Sequence, residues 1–134
     1  MFDAARHKRA MKAYKQYGGK EYVLKTSPHD PPSIRDISLL GVDRCYGESW
    51  NRKGLDMKTK ALITISMLAT LGIEPELKTH IRHAHHQGVT KDQMVDWLIH
   101  VNSYIGTPRA VAALRVAREV WTEMGQEKPR RKKK

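Results

Sequence analysis

Cysteine is nearly absent from this chain of 134 residues: Cys45 stands alone, so no disulfide closes within it. The opening MFDAARHKRAMKAYKQ lacks the continuous apolar stretch of a secretory signal, and a reducing, cytoplasmic setting is the expectation. Long hydrophobic runs are missing too. The most apolar one, ALITISMLATLGI, is interrupted at Gly72, short of the roughly 18 to 20 residues that span a bilayer. No period-two alternation marks a strand, and no self-similar spacing marks a solenoid. What remains is an all-α chain with a 40% hydrophobic share, enough for one core.

Acidic residues are few, and the net charge is +11. Residues 1–25 carry seven Lys/Arg against two acids, residues 128–134 carry six Lys/Arg and no acid, and the span between holds twelve of each sign. A reader of nucleic-acid grooves gathers its positive charge on a face of the folded core. Here the charge lies at the chain ends, so no specific nucleic-acid partner is expected, and 127–134 reads as a basic, disordered tail following a single domain over 1–126.

Six helices follow from the punctuation. The first covers about Ala4 to Tyr17 and ends at Gly18-Gly19; Ser33 caps a second that runs to about Trp50. Asp56 caps a third, Met57 to Leu71, whose apolar residues cover most of its circumference, so that it should be the most buried. Pro75 opens a fourth, to about Gln87. Thr90-Lys91-Asp92-Gln93 is a capping box for a fifth, to about Ile105, with a stripe of Met94, Trp97, Leu98, Val101 and Ile105. Gly106-Thr107-Pro108 supplies a stop, a cap and a first-turn proline for the sixth, whose face is Val111, Leu114, Ala117, Trp121 and Met124.

Two clusters carry chemistry. On the fourth helix, Glu76, His80 and His83 have the spacing of one face and offer a carboxylate and two imidazoles, but this pattern alone is not distinctive for a metal and none is assigned. His85 and His86 read as solvated surface. Ahead of the third helix, Glu48, Trp50 and Arg52 crowd one helix end. Arg52 can grip a carboxylate with its fork, Trp50 can exclude water, and Glu48 can exchange protons if burial raises its pKa. Equally, the trio reads as a surface ion pair beside a core tryptophan. His100 and Tyr104, one turn apart on the fifth helix, are further candidates for lining a pocket.

Tyr46-Gly47-Glu48-Ser49-Trp50-Asn51-Arg52-Lys53-Gly54-Leu55-Asp56, then Lys58-Thr59-Lys60 and Leu62-Ile63-Thr64-Ile65, then Gly72, Glu76-Leu77, His80, Ala84, Gly88-Val89-Thr90, and Tyr104-x-Gly106-x-Pro108 together resemble the carboxymuconolactone decarboxylase family. The resemblance extends from about Cys45 to Arg118 and implies an alkylhydroperoxidase D-like helical domain. The peroxidases of that superfamily carry Cys-x-x-Cys just before the histidine matching His80. Ile73 and Glu76 stand there, and Ala61 replaces the glutamate of their thiol relay, so dithiol peroxidase activity is not expected. Cys45 lies elsewhere and is expected to be structural.

The resemblance implies decarboxylation of 4-carboxymuconolactone to the enol-lactone of 3-oxoadipate, a step of aromatic catabolism in the protocatechuate branch of the β-ketoadipate pathway. Loss of carbon dioxide beside the lactone oxygen leaves an electron pair that spreads through the ring double bond to the lactone carbonyl as a dienolate. The ring is its own electron sink, so no cofactor is required. On this reading His80 and Glu48 are catalytic: His80 transfers a proton or stabilises the oxyanion, with a pKa near ~6.5 needing little tuning, and Glu48 orients His80 or protonates the dienolate. Arg52 binds carboxylate, with Trp50, His100 and Tyr104 around the substrate. The family likeness also implies a homo-oligomer, a trimer or hexamer. The alternatives are an enzyme acting on another lactone or β-keto acid, or a non-catalytic binding or assembly protein.

Overall fold

The computed structural model describes residues 3–24 and 26–127. Among them are six α-helices and no strand: α1 (Ala4–Gly18), α2 (Ile34–Arg44), α3 (Met57–Leu71), α4 (Glu74–His86), α5 (Lys91–Ile105) and α6 (Thr107–Glu123), with one π-helical turn, Cys45–Ser49, between α2 and α3. The all-α class is as expected from the sequence. No helix among the described residues is long and apolar enough to cross a membrane. The basic tail lies outside the described residues, apart from Glu127 at its start.

The caps explain most of the boundaries. Asp56 Oδ1 accepts the Thr59 amide at 2.7 Å to start α3, and Thr90 and Gln93 exchange both bonds of the capping box at 3.1 and 3.0 Å. Between α5 and α6 the chain turns on Gly106, at φ 86° and ψ 153°, a conformation essentially closed to any residue with a Cβ. Thr107 is thus inside α6, and its hydroxyl donates to Asn102 Oδ1 at 3.1 Å instead of capping.

The described chain forms two compact units, one up to Lys60 and one from Ala61. In the first, α1 packs on α2 and on the π-helical turn. Expectation and structure part here. The second helix does not run unbroken to Trp50, and Ser33 makes no side-chain cap. Instead the helix widens after Arg44, and the Trp50 amide reaches back five residues to Cys45 O at 2.9 Å. Tyr46 and Trp50 are both buried and stack at 5.6 Å, with Tyr17 of α1 3.9 Å from the Trp50 ring. Gly47 lets α1 approach, since a Cβ there would lie 2.9 Å from Arg6 O and 2.8 Å from Arg6 Cγ. His7 Nδ1 bonds the buried Asp43 carboxylate at 2.8 Å, tying α1 to α2. Cys45 is exposed, not a packing residue.

In the second unit α4 and α5 both pack on α6. The most heavily buried helix is α6, not α3. Because α3 is apolar nearly all round, its sequence marks no inner face. The stripe Ala61, Ile65 and Ala69 is buried, while Ile63, Met67 and Leu71, on another side, are exposed. Helix α6 repeats the lesson: Ala110, Ala113, Val116 and Val120 are buried with Ala117 and Trp121, whereas Val111 and Met124 of the expected face are exposed and Leu114 is half-buried. Alanines permit close helix approach, so the contact follows small residues over large ones. On α5 the expected stripe is buried through Val101, with Ile105 half-buried.

Candidate active site

The first unit presents Glu48, Trp50 and Arg52 on and just after the widened turn. Glu48 is not buried: its side chain is 58% exposed and pairs with Arg6 at 3.2 Å. The condition set for a burial-raised carboxyl is therefore unmet. Trp50 is 8% exposed, packed against Tyr17 and Tyr46. Arg52 is exposed, and among the described residues no carboxylate pairs with its guanidinium. What surrounds this turn is a set of satisfied backbone acceptors. Asn51 Nδ2 donates to Tyr46 O at 2.5 Å. The Lys60 ammonium, from the first turn of α3, donates to Ser49 O, Trp50 O and Arg52 O at 3.1, 3.2 and 2.7 Å. The sequence contains Lys60 as one more basic residue; nothing in its spacing marks it as the clamp of the turn.

The second unit presents the histidines of α4. His80 is half-buried and His83 is 7% exposed, with their rings edge to face at 5.5 Å. Burial pushes both down to about 4, against a smaller upward pull of Glu76 on His80 and with a further lowering of His83 by His80, His86 and Arg82. This corrects the expectation of an untuned imidazole: at neutral pH His80 is neutral, able to donate one hydrogen bond and accept another, but not carrying a proton to give away. His83, weighed in the sequence only as a metal ligand, is the more buried of the two. Among the described residues no three His, Cys, Asp or Glu side chains are arranged to hold a metal ion.

His85 is also not the solvated residue expected. Its Nδ1 lies 2.6 Å from Val89 O, and its Nε2 accepts the Trp121 indole N–H at 3.0 Å. An indole only donates and a carbonyl only accepts, so the proton of this ring sits on Nδ1. His85 is thereby a structural bridge from α4 to α6, while His86 is exposed as expected. On α5, His100 and Tyr104 meet ring to ring at 5.2 Å, both exposed, Tyr104 by 80%.

Residues 41–119 match the carboxymuconolactone decarboxylase family. The chain is 32% identical over 125 residues to 4-carboxymuconolactone decarboxylase of Acinetobacter baylyi, covering 93% of each chain. It is 30% identical over 114 residues to nitrosuccinic acid decarboxylase of Metarhizium robertsii, covering 85% of this chain and 80% of the relative. An uncharacterized 15.0 kDa protein of Paracoccus denitrificans is 33% identical over 84 residues, covering 61% of this chain and 63% of the relative. With a family match over more than half its length and a relative aligned almost end to end, the chain belongs to the carboxymuconolactone decarboxylase family.

Proposed function

We propose that this protein is a cofactor-independent decarboxylase of small carboxylated lactones, with 4-carboxymuconolactone as its substrate. The observation that carries this reading is the near end-to-end similarity to a 4-carboxymuconolactone decarboxylase. The chemistry asks for three things: a grip on the carboxylate that stays, stabilisation of the dienolate oxygen, and return of a proton to carbon.

Arg52, exposed and without a carboxylate partner among the described residues, takes the retained carboxylate through its bidentate fork. His80 is the oxyanion group. A neutral imidazole in a partly desolvated setting donates a hydrogen bond to the forming dienolate at no cost in charge separation. Water supplies the proton returned to carbon, with Glu48, exposed and paired with Arg6, as the group that passes it on, and Trp50 is the rigid apolar floor of its turn. His100 and Tyr104 enter as an exposed pair that substrate or a second subunit covers. The exposed stripe Ile63, Met67 and Leu71 of α3 supports assembly into a homo-oligomer, for which the family likeness suggests a trimer or hexamer.

The nitrosuccinic acid decarboxylase relative favours a second substrate reading. Nitrosuccinate also loses a carboxylate beside an electron-accepting group, there a nitro group, and also keeps a second carboxylate. The requirements for an anion grip and a stabilised anionic intermediate are the same. Offering both compounds to the purified protein and following carbon dioxide release decides between them. Faster turnover of the lactone is the expected result, faster turnover of nitrosuccinate selects the second reading, and release from neither refutes both.

A further inference from the structure

The end of a helix leaves carbonyl groups without amide partners, and a widened turn leaves them pointing at unusual angles. Here five carbonyls of the turn and its exit have named partners. Cys45 O takes the Trp50 amide at 2.9 Å, Tyr46 O takes Asn51 Nδ2 at 2.5 Å, and Ser49 O takes the Arg52 amide at 3.2 Å. The carbonyls of Trp50 and Arg52, with a second bond to Ser49, all converge on one atom, Lys60 Nζ, at 3.2, 2.7 and 3.1 Å. An ammonium has three N–H donors. All three are spent on this loop.

Lys60 occupies an uncomfortable place for a cation. It lies in the first turn of α3, where the helix dipole disfavours positive charge. Desolvation, followed by the nearby positive charges of Lys53 and Arg52, pushes its pKa down. No carboxylate among the described residues pairs with it. A residue placed solely for stability at this point would be better neutral or acidic. What the ammonium does uniquely is draw three carbonyls, spread over four residues, to a single point, fixing the backbone from which Glu48, Trp50 and Arg52 project.

We infer that Lys60 is a positioning residue for substrate binding: its three bonds to the 49–52 carbonyls set where the Arg52 guanidinium sits. This rests on the reading of Arg52 as the group that binds the retained carboxylate. Lysine-to-methionine replacement keeps the length and apolar stem but donates nothing, while arginine keeps several donors. The test compares Lys60→Met and Lys60→Arg with wild type in steady-state turnover of 4-carboxymuconolactone and in amide hydrogen exchange over residues 50–54. With the fold verified by circular dichroism, Lys60→Met is expected to raise KM about 10-fold with kcat within about 3-fold and to quicken exchange over 50–54. Lys60→Arg restores KM to within about 3-fold of wild type.

A folded Lys60→Met protein with wild-type KM overturns the inference, as does a rise in KM that Lys60→Arg does not relieve. If Lys60→Met does not fold, Lys60→Gln is read against the same outcomes. If wild type itself releases no carbon dioxide from the lactone, the functional reading has failed. The exchange comparison then decides the clamp by itself, with unchanged exchange over 50–54 overturning it.

Discussion

His80 and His83 should make the protein lose stability as pH falls from about 6.5 toward 4. Burial holds both imidazoles at about 4, whereas an unfolded histidine titrates near 6.5. Below 6.5 the unfolded chain takes up protons that the folded chain refuses, so stability is fully present above that pH and is lost as pH falls toward 4. For one such imidazole the loss is about 2 kcal/mol by pH 5 and about 3 kcal/mol once both states are protonated. Two of them make this a large share of the roughly 5 to 15 kcal/mol that holds a domain. Hydrogen bonds hold the Asp3, Asp56 and Glu123 carboxyls low, but from ordinary values of 3.8 and 4.5 downward, so they act below this window. Urea unfolding at pH 7.5, 6.5, 5.5 and 5.0, followed by far-ultraviolet circular dichroism, isolates the histidines. Stability that stays level from pH 7.5 to 5.0 would show that burial does not hold these imidazoles neutral, and so would an undiminished slope in the His80→Gln/His83→Gln protein.

His80→Gln should lower kcat by roughly 10² to 10³ with the fold kept, because glutamine does not present the imidazole N–H to the oxyanion in the same place. Near-normal turnover would remove His80 from the mechanism. Arg52→Lys, which keeps charge but loses the fork, should instead raise KM with a smaller change in kcat, and equal losses in both would contradict a ground-state carboxylate contact. Gly47→Ala should destabilise the first unit by roughly 1 to 3 kcal/mol, since the new Cβ meets Arg6 O at 2.9 Å and a backbone carbonyl cannot swing aside; denaturant unfolding followed by far-ultraviolet circular dichroism measures it. Dialysis against a chelator should leave turnover unchanged, and loss reversed by a divalent metal would reinstate Glu76, His80 and His83 as ligands.

The helices were legible where a local signal fixes them. Asp56, the Thr90–Gln93 box and Gly106 act within a few residues, and the structure uses all three. The inner face of a helix was not legible where composition gave no contrast. In α3 apolar side chains surround the axis, and in α6 alanines, weak as hydrophobic markers, take the contact because they allow close approach. The widened turn at Cys45–Ser49 escaped for a similar reason. It packs on α1 through a contact far away in sequence, Gly47 against Arg6 and Ala10, that no helical periodicity records.

Among the candidate residues, their clustering was visible in the sequence and their protonation was not. The spacing of His80 and His83 placed two imidazoles one turn apart, but only burial shows that both are neutral. Glu48 had the residue type for proton exchange, and only the fold reveals it as exposed and held by Arg6. Lys60 and His85 act through bonds to carbonyls and to an indole, partners chosen by tertiary packing.

Decarboxylation without a cofactor is tested by incubating the purified protein, after removal of metal, with 4-carboxymuconolactone in D₂O. One carbon dioxide is expected per lactone consumed, with the enol-lactone carrying one deuterium on the dienolate carbon that is protonated. Unchanged lactone in the presence of folded protein, or consumption of lactone without carbon dioxide, would contradict it.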